Sequence, residues 1–166
     1  MDEAFVLKVS EFSNKTENRR KIISFLGRIS PYPIFVLYAV FSLVIIKSLT
    51  LGKAVFFLIP ALTFAVVTFI RKRLNRKRPF ELYDIPKLIP HGVGKGFPSR
   101  HSACAVTISL AIFTVSLRWG LVCLAFSVIV CVTRVLCGVH FVKDVIAGAL
   151  SGFIPWAIYL IIMAYL

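Results

Sequence analysis

Long apolar blocks separated by short polar stretches dominate the chain. They run from Pro33 to Leu51, Ala54 to Ile70, Ser102 to Leu117, Trp119 to about Leu136, and Val145 to Leu166. Their lengths fall near the lower end of the roughly 17 to 25 residues that cross a bilayer as a helix, so the pattern predicts five transmembrane helices. Ahead of them, residues 1–30 alternate apolar and charged positions. Phe5, Val9 and Phe12 recur at helical spacing, as do Ile22, Leu26 and Ile29, with the polar run Asn14 to Lys21 between the two sets. This reads as an amphipathic helix lying on the membrane surface, the alternative being a solvated tail. Pro31 and Pro33 end it before the first apolar block. Tight turns around Thr50 to Lys53 and at Arg118 make the flanking blocks antiparallel neighbours. The expected fold is all-α: a polytopic membrane helix bundle of about five transmembrane helices plus an N-terminal amphipathic surface helix, forming one domain over residues 1–166.

Composition agrees with that pattern. The chain is 58% hydrophobic with a mean hydropathy of +0.87, far above a soluble globule. Its net charge of +13 is carried by residues that flank apolar spans and are not interleaved with exposed aromatics. Nucleic acid is therefore not an expected partner; the bilayer itself, anionic headgroups or a phosphorylated substrate are. Cys104, Cys123, Cys131 and Cys137 lie inside apolar blocks without metal-ligand spacing and read as small buried hydrophobes. The acidic start, with no apolar core after it, predicts no cleaved leader.

Three polar stretches interrupt this picture. Arg71, Lys72, Arg73, Arg76, Lys77 and Arg78 precede Pro79, and the spacing places Arg71 and Arg78 on one helical face that the proline ends. Such a run is ordinarily an orientation signal or a headgroup contact. From Phe80 to Pro98 a loop punctuated by proline and glycine follows, in which Glu81, Asp84 and His91 are expected to be solvated. Pro98-Ser99-Arg100-His101 then opens an apolar block: Ser99 is a candidate helix cap, the free N–H groups around residues 99–102 form an anion cradle, and a bound phosphate would charge His101 as a general acid. The bland alternative leaves His101 as an interfacial residue. Finally, Arg134, His140 and Asp144 sit at membrane depth, where ionisable residues default to function. On a continuous helix Asp144 would hold one nitrogen of His140 and leave the other free to attack. The alternative is a helix-end cluster, with Arg134 and Lys143 snorkelling and Asp144 capping.

If all five blocks cross, these stretches meet on one membrane face. Four guanidiniums, Arg71, Arg78, Arg100 and Arg134, favour an anion and repel a divalent metal, so no metal site is expected. They suit a phosphoryl group in transfer. Seventeen of the twenty cations lie on that face, which favours a cytoplasmic site in a multi-pass cell-membrane protein. Ala147, Gly148, Ser151 and Gly152 permit close helix packing.

Arg71-x6-Arg-Pro79, Pro98-Ser-Arg-His101 and Thr133-Arg-x5-His-x3-Asp144 resemble the three motifs of the type 2 phosphatidic acid phosphatase superfamily, the lipid phosphate phosphatases. The resemblance covers residues 71–144. It implies that His140 is a nucleophile forming a phosphohistidine, that Asp144 orients it, and that His101 protonates the leaving oxygen. It further implies that Arg71, Arg78, Ser99 and Arg134 hold the phosphate, with no metal or other cofactor. Three positions depart from the family pattern: Arg71 for lysine, Thr133 for serine, and Arg100 for glycine. At position 100 an arginine is strained if the backbone needs positive φ, or else it adds a phosphate contact. The family is described with six spans, so the chain is expected to lack one at its N-terminal end, where the surface helix substitutes. The expected substrate is a membrane lipid phosphate: phosphatidic acid, phosphatidylglycerol phosphate, or a polyprenyl phosphate or diphosphate. A lipid phosphotransferase and a non-catalytic headgroup-binding adaptor are the alternatives.

Overall fold

The computed structural model describes residues 3–47 and 51–165, and its ordered elements are all helical. In chain order they are α1 (Glu3–Asn14), α2 (Glu17–Ile29), α3 (Tyr32–Ile46), α4 (Leu51–Leu74), α5 (Pro79–Leu82), α6 (Arg100–Val115), α7 (Leu117–Leu136) and α8 (Val142–Tyr165). The turn expected around Thr50 to Lys53 falls partly on residues 48–50, outside the described residues.

Among the described residues, four stretches are long and apolar enough to cross a membrane: Glu17–Ile46, Lys53–Leu82, Leu117–Leu136 and Val142–Ile162. The apolar blocks predicted five. The difference is α6, whose 16 residues rise about 24 Å at 1.5 Å each, short of a hydrocarbon core of about 30 Å. α6 packs against α3, α4, α7 and α8. Neighbouring helices, more than lipid, are its solvent, which explains how a shorter helix fits.

The N-terminal segment is two helices, not one. Thr16 caps α2 by accepting from the Arg19 N–H at 3.3 Å, because a threonine hydroxyl satisfies an orphan first-turn donor. Val6, Ile23 and Gly27 face the protein, while Phe5, Phe12, Ile22, Leu26 and Ile29 stay exposed. The apolar set read from the sequence is thus mostly the outward one, available to lipid.

Buried polar contacts link the long helices. Trp156 Nε1 donates to the Thr107 carbonyl at 3.0 Å, and the Ser109 and Ser127 hydroxyls pair at 2.9 Å. Pro60 has no N–H for the carbonyl four residues earlier, and the Tyr38 hydroxyl donates to that Phe56 oxygen at 3.2 Å instead. Small residues matter most between α6 and α8. A Cβ built at Gly148 would collide with the Ser99 carbonyl, and one at Gly152 would meet the Ala103 carbonyl.

Helix ends differ from expectation at two places that shape the site. α4 stops at Leu74, five residues before Pro79, because Asn75 takes a left-handed conformation (φ 39°) that asparagine tolerates. Arg78 therefore lies beyond the helix and does not share its face with Arg71. Pro79 instead begins α5, where its missing N–H costs nothing. α7 ends at Leu136, Gly138 turns the chain at φ 70°, and α8 starts only at Val142. His140 thus belongs to the turn between helices, not to a helix continuous with Asp144.

Candidate active site

His140 and Asp144 are 1% and 2% exposed. The carboxylate accepts from the Phe141 N–H at 2.9 Å, capping α8, and its Oδ2 stands 3.7 Å from His140 Nδ1. That separation is too long for a hydrogen bond, and Nδ1 has no other partner. On the opposite edge of the ring, Nε2 lies 3.1 Å from Arg78 Nη1. A guanidinium only donates, so Nε2 presents its lone pair and the proton of the neutral ring sits on Nδ1, toward Asp144. Burial first, then the charges of Arg78 and Arg71, hold His140 well below the ordinary histidine range. The imidazole is therefore neutral, with its free lone pair directed at a cation.

Arg78, 3% exposed, is fixed by backbone oxygens: Nη1 donates to Val139 at 2.8 Å and Nε to Gly94 at 3.0 Å. Glu81 supports this arrangement by accepting from the N–H groups of Arg78 and Gly94 at 2.9 and 2.8 Å. Arg71 Nη1 donates to the Pro98 carbonyl at 2.6 Å. Ser99 caps α6 by accepting from the Ser102 N–H at 3.4 Å, also accepts from the Ser102 hydroxyl at 2.9 Å, and donates its own N–H to the Asp144 carbonyl at 2.8 Å. The beginnings of α6 and α8 are thereby bonded together. Arg134 is buried; Nη2 donates to the Gly27 carbonyl of α2, and Nε is buried without a partner.

A cleft of about 360 Å³ reaches Arg134, alone of these groups, and is lined besides by His101, His91, Gly27 and Arg28 among others. His91 neighbours both expected catalytic histidines, its ring centroid 5.6 Å from that of His101 and 6.1 Å from that of His140. His101 and His140 consequently lie within the sum of those distances, on one side of the bundle. A second cavity of about 190 Å³, between α3, α4 and α6, shares Pro31, Phe35 and His101 with the first and is otherwise lined by Ile34, Phe64, Arg100, Cys104 and Ala105.

Arg100 lies against an aromatic ring. Its guanidinium rests 5.2 Å from the centre of the Phe64 ring, on the apolar side of His101. It is the first residue of α6 and is not among the positive-φ residues, so the backbone makes no demand there that only glycine could meet. Among the described residues, no three histidine, cysteine or acidic side chains are grouped to hold a metal ion.

Two loop residues read as solvated are structural parts of this region. Glu81 follows Arg78-Pro79 at the third position of a short helix, a spacing that signals a carboxylate reaching back to the helix start. His91 follows Leu88 and Ile89, which pack against Ile23, Cys137 and Val139. Apolar neighbours inside a polar loop signal a segment folded inward. Asp84 is exposed, as expected.

The chain is 32% identical over 99 residues to the bacitracin transport permease protein BcrC of Bacillus licheniformis, over 54% of this chain and 49% of that protein. It thus spans about half the length of this curated relative. The crystal structure of Aquifex aeolicus LpxE superposes with a TM-score of 0.66 at 25% identity, covering 93% of each chain. A PAP2-type phosphatidylglycerolphosphate phosphatase from Bacillus subtilis matches over 90% of this chain and 87% of its own, at 22% identity and a TM-score of 0.45. Residues 34–166, from α3 to the last residue and including all three motifs, match the PAP2 superfamily, and the chain belongs to that family.

Proposed function

We propose that this protein is a lipid phosphate phosphatase working through a phosphohistidine on His140. The observation that carries the reading is the disposition of that ring: a lone pair on Nε2 beside Arg78, and the opposite nitrogen facing a buried carboxylate. When substrate enters, its oxygens take over the Arg78 Nη1 hydrogen, freeing Nε2 to attack phosphorus. The N–P bond forms as the bond to the leaving oxygen breaks, and His101, which takes up a proton as the anionic phosphate binds, gives that proton to the oxygen. Asp144 stabilises the positive charge that develops on the ring, its 3.7 Å approach closing in the loaded site. Water, deprotonated by His101, then attacks phosphorus and releases phosphate, restoring both histidines. Arg71, Arg78, Arg134 and the Ser99 end of α6 balance the charge of the phosphoryl group in transfer.

The two joined cavities support an amphiphilic substrate: a polar half around Arg134 and His91, an apolar half between α3, α4 and α6, and His101 where they meet. Arg100 favours a further refinement. It sits on the tail side of the proposed acid, so a lipid diphosphate would bring its second phosphate to that guanidinium. In this reading α3, α4, α6, α7 and α8 all cross the membrane within a single domain, and the charge bias turns the site toward the cytoplasm. Labelling a cysteine placed near Gly94, at Gly92 where an added side chain meets nothing within 4 Å, in intact cells tests that facing: protection supports it, and modification by an impermeant reagent contradicts it.

The activity test is phosphate release from a short-chain phosphatidic acid and from a polyprenyl diphosphate, with EDTA present. Wild type is expected to release phosphate and His140→Ala is not; equal rates in the two proteins would reject the assignment.

A further inference from the structure

We infer that His91 is a third imidazole of the reacting centre, in direct contact with the phosphoryl group. This rests on the phosphatase reading above, but none of the three motifs includes the residue. Its ring lies 6.1 Å from the His140 ring and 5.6 Å from the His101 ring. A phosphorus attacked by one of those histidines, with its leaving oxygen protonated by the other, must sit between them, within reach of the His91 ring.

The position is built rather than incidental. Lys87 Nζ donates to the His91 carbonyl at 3.1 Å, and the preceding segment is tied down by Ser24 Oγ donating to the Leu88 carbonyl at 2.7 Å and by Leu88 N–H donating to the Cys137 carbonyl at 3.1 Å. Nδ1 of His91 is buried with no hydrogen-bond partner. An unmet polar atom at the wall of an anion site is the position a ligand oxygen fills.

The ring's charge state fits the role. Burial, then the charges of Arg78 and Arg134, bring His91 down to about 4, so it is neutral near pH 7. A neutral imidazole offers one N–H to a non-bridging oxygen without adding another cation beside His140, which must stay uncharged to attack. His91 therefore adds a directed hydrogen bond where further arginine charge would work against the nucleophile.

The experiment measures kcat/KM for phosphate release and, separately, the affinity for orthovanadate, whose trigonal-bipyramidal form imitates phosphoryl transfer, in wild type, His91→Ala, His91→Asn and His91→Gln. Removal of one transition-state donor predicts a loss of about 100-fold in kcat/KM for His91→Ala. Vanadate affinity should weaken in parallel, with partial recovery in whichever amide variant places its N–H near the lost one. Thermal unfolding of each variant in detergent identifies those that fold, and only these are compared. His91→Ala within twofold of wild type on both measures overturns the proposal, as does a loss of rate with vanadate affinity unchanged. If wild type releases no phosphate from any lipid, the phosphatase reading fails. Calorimetric titration of vanadate still decides whether His91 contacts a phosphoryl-like anion.

Discussion

Gly148→Ala is the most informative packing perturbation. A Cβ at this position overlaps the Ser99 carbonyl and comes within 3.2 Å of Ser102 Cβ. The obstacle is backbone, not the movable tip of a side chain, and that carbonyl already accepts the Ala103 N–H at 3.1 Å in the first turn of α6. Relief requires α6 and α8 to separate, which strains the bond from Ser99 N–H to the Asp144 carbonyl one turn away. Overpacking of this kind costs about 1–3 kcal/mol. A shift of about 1 Å between reacting groups costs on the order of 10²-fold in rate. The expected result is a lower unfolding temperature in detergent together with a fall of about 10²-fold in kcat/KM for phosphate release. Gly152→Ala meets the Ala103 carbonyl, one turn farther from Asp144; it should lower stability similarly with a smaller rate effect. At Gly92 nothing lies within 4 Å of an added Cβ, and stability should be unchanged in Gly92→Ala. If Gly148→Ala matches wild type in both stability and rate, the close α6–α8 contact does not set the site and the reasoning fails.

Other consequences follow from the same geometry. His101→Ala should slow substrates with poor alkoxide leaving groups far more than those with good ones; uniform slowing across a leaving-group series would remove the general-acid assignment. Arg100→Ala should reduce turnover of a polyprenyl diphosphate at least ~10-fold more than that of the matching monophosphate, a charge-assisted contact being worth about 1.5–3 kcal/mol; equal losses would detach Arg100 from the second phosphate. His91 is lowered from 6.5 to about 4 in the folded protein. The unfolded chain therefore takes up a proton that the fold excludes, and stability contributed above pH 6.5 is lost as pH falls toward 4. Thermal melts of wild type and His91→Asn over that window should converge at low pH, and parallel curves would contradict the assigned shift.

Much of this architecture is legible in one dimension. The apolar blocks correspond to α3, α4, α6, α7 and α8, since a bilayer admits little besides helices with satisfied backbones. Block length alone could not show that α6 is sheathed by other helices and so escapes the usual span. The motif spacings brought Arg78, His140 and Asp144 together correctly, but through a different local route. Asn75 ends α4 and Gly138 separates His140 from α8, so the contacts arise across turns where helical periodicity placed Arg78 on one helix with Arg71 and His140 on another with Asp144. Arg100 starts α6 and its guanidinium stands against the Phe64 ring, a neighbour that the motif spacing does not predict. His91 and Glu81 were read as solvated because the contacts that draw them inward, Gly94 N–H to Glu81 and the His101 and His140 rings beside His91, come from residues 10 or more positions away, and a loop's path is fixed by tertiary bonds such as Ser24 to Leu88.

The most direct test of the central claim is to trap the covalent intermediate. Purified protein mixed briefly with a lipid phosphate and quenched in alkali, where phosphohistidine survives, should carry one phosphoryl group on the peptide containing His140. The label should be absent from His140→Ala and should accumulate further in His101→Ala when the substrate has a good leaving group. A phosphoryl group on another residue, or turnover by His140→Ala at the wild-type rate, would contradict the account.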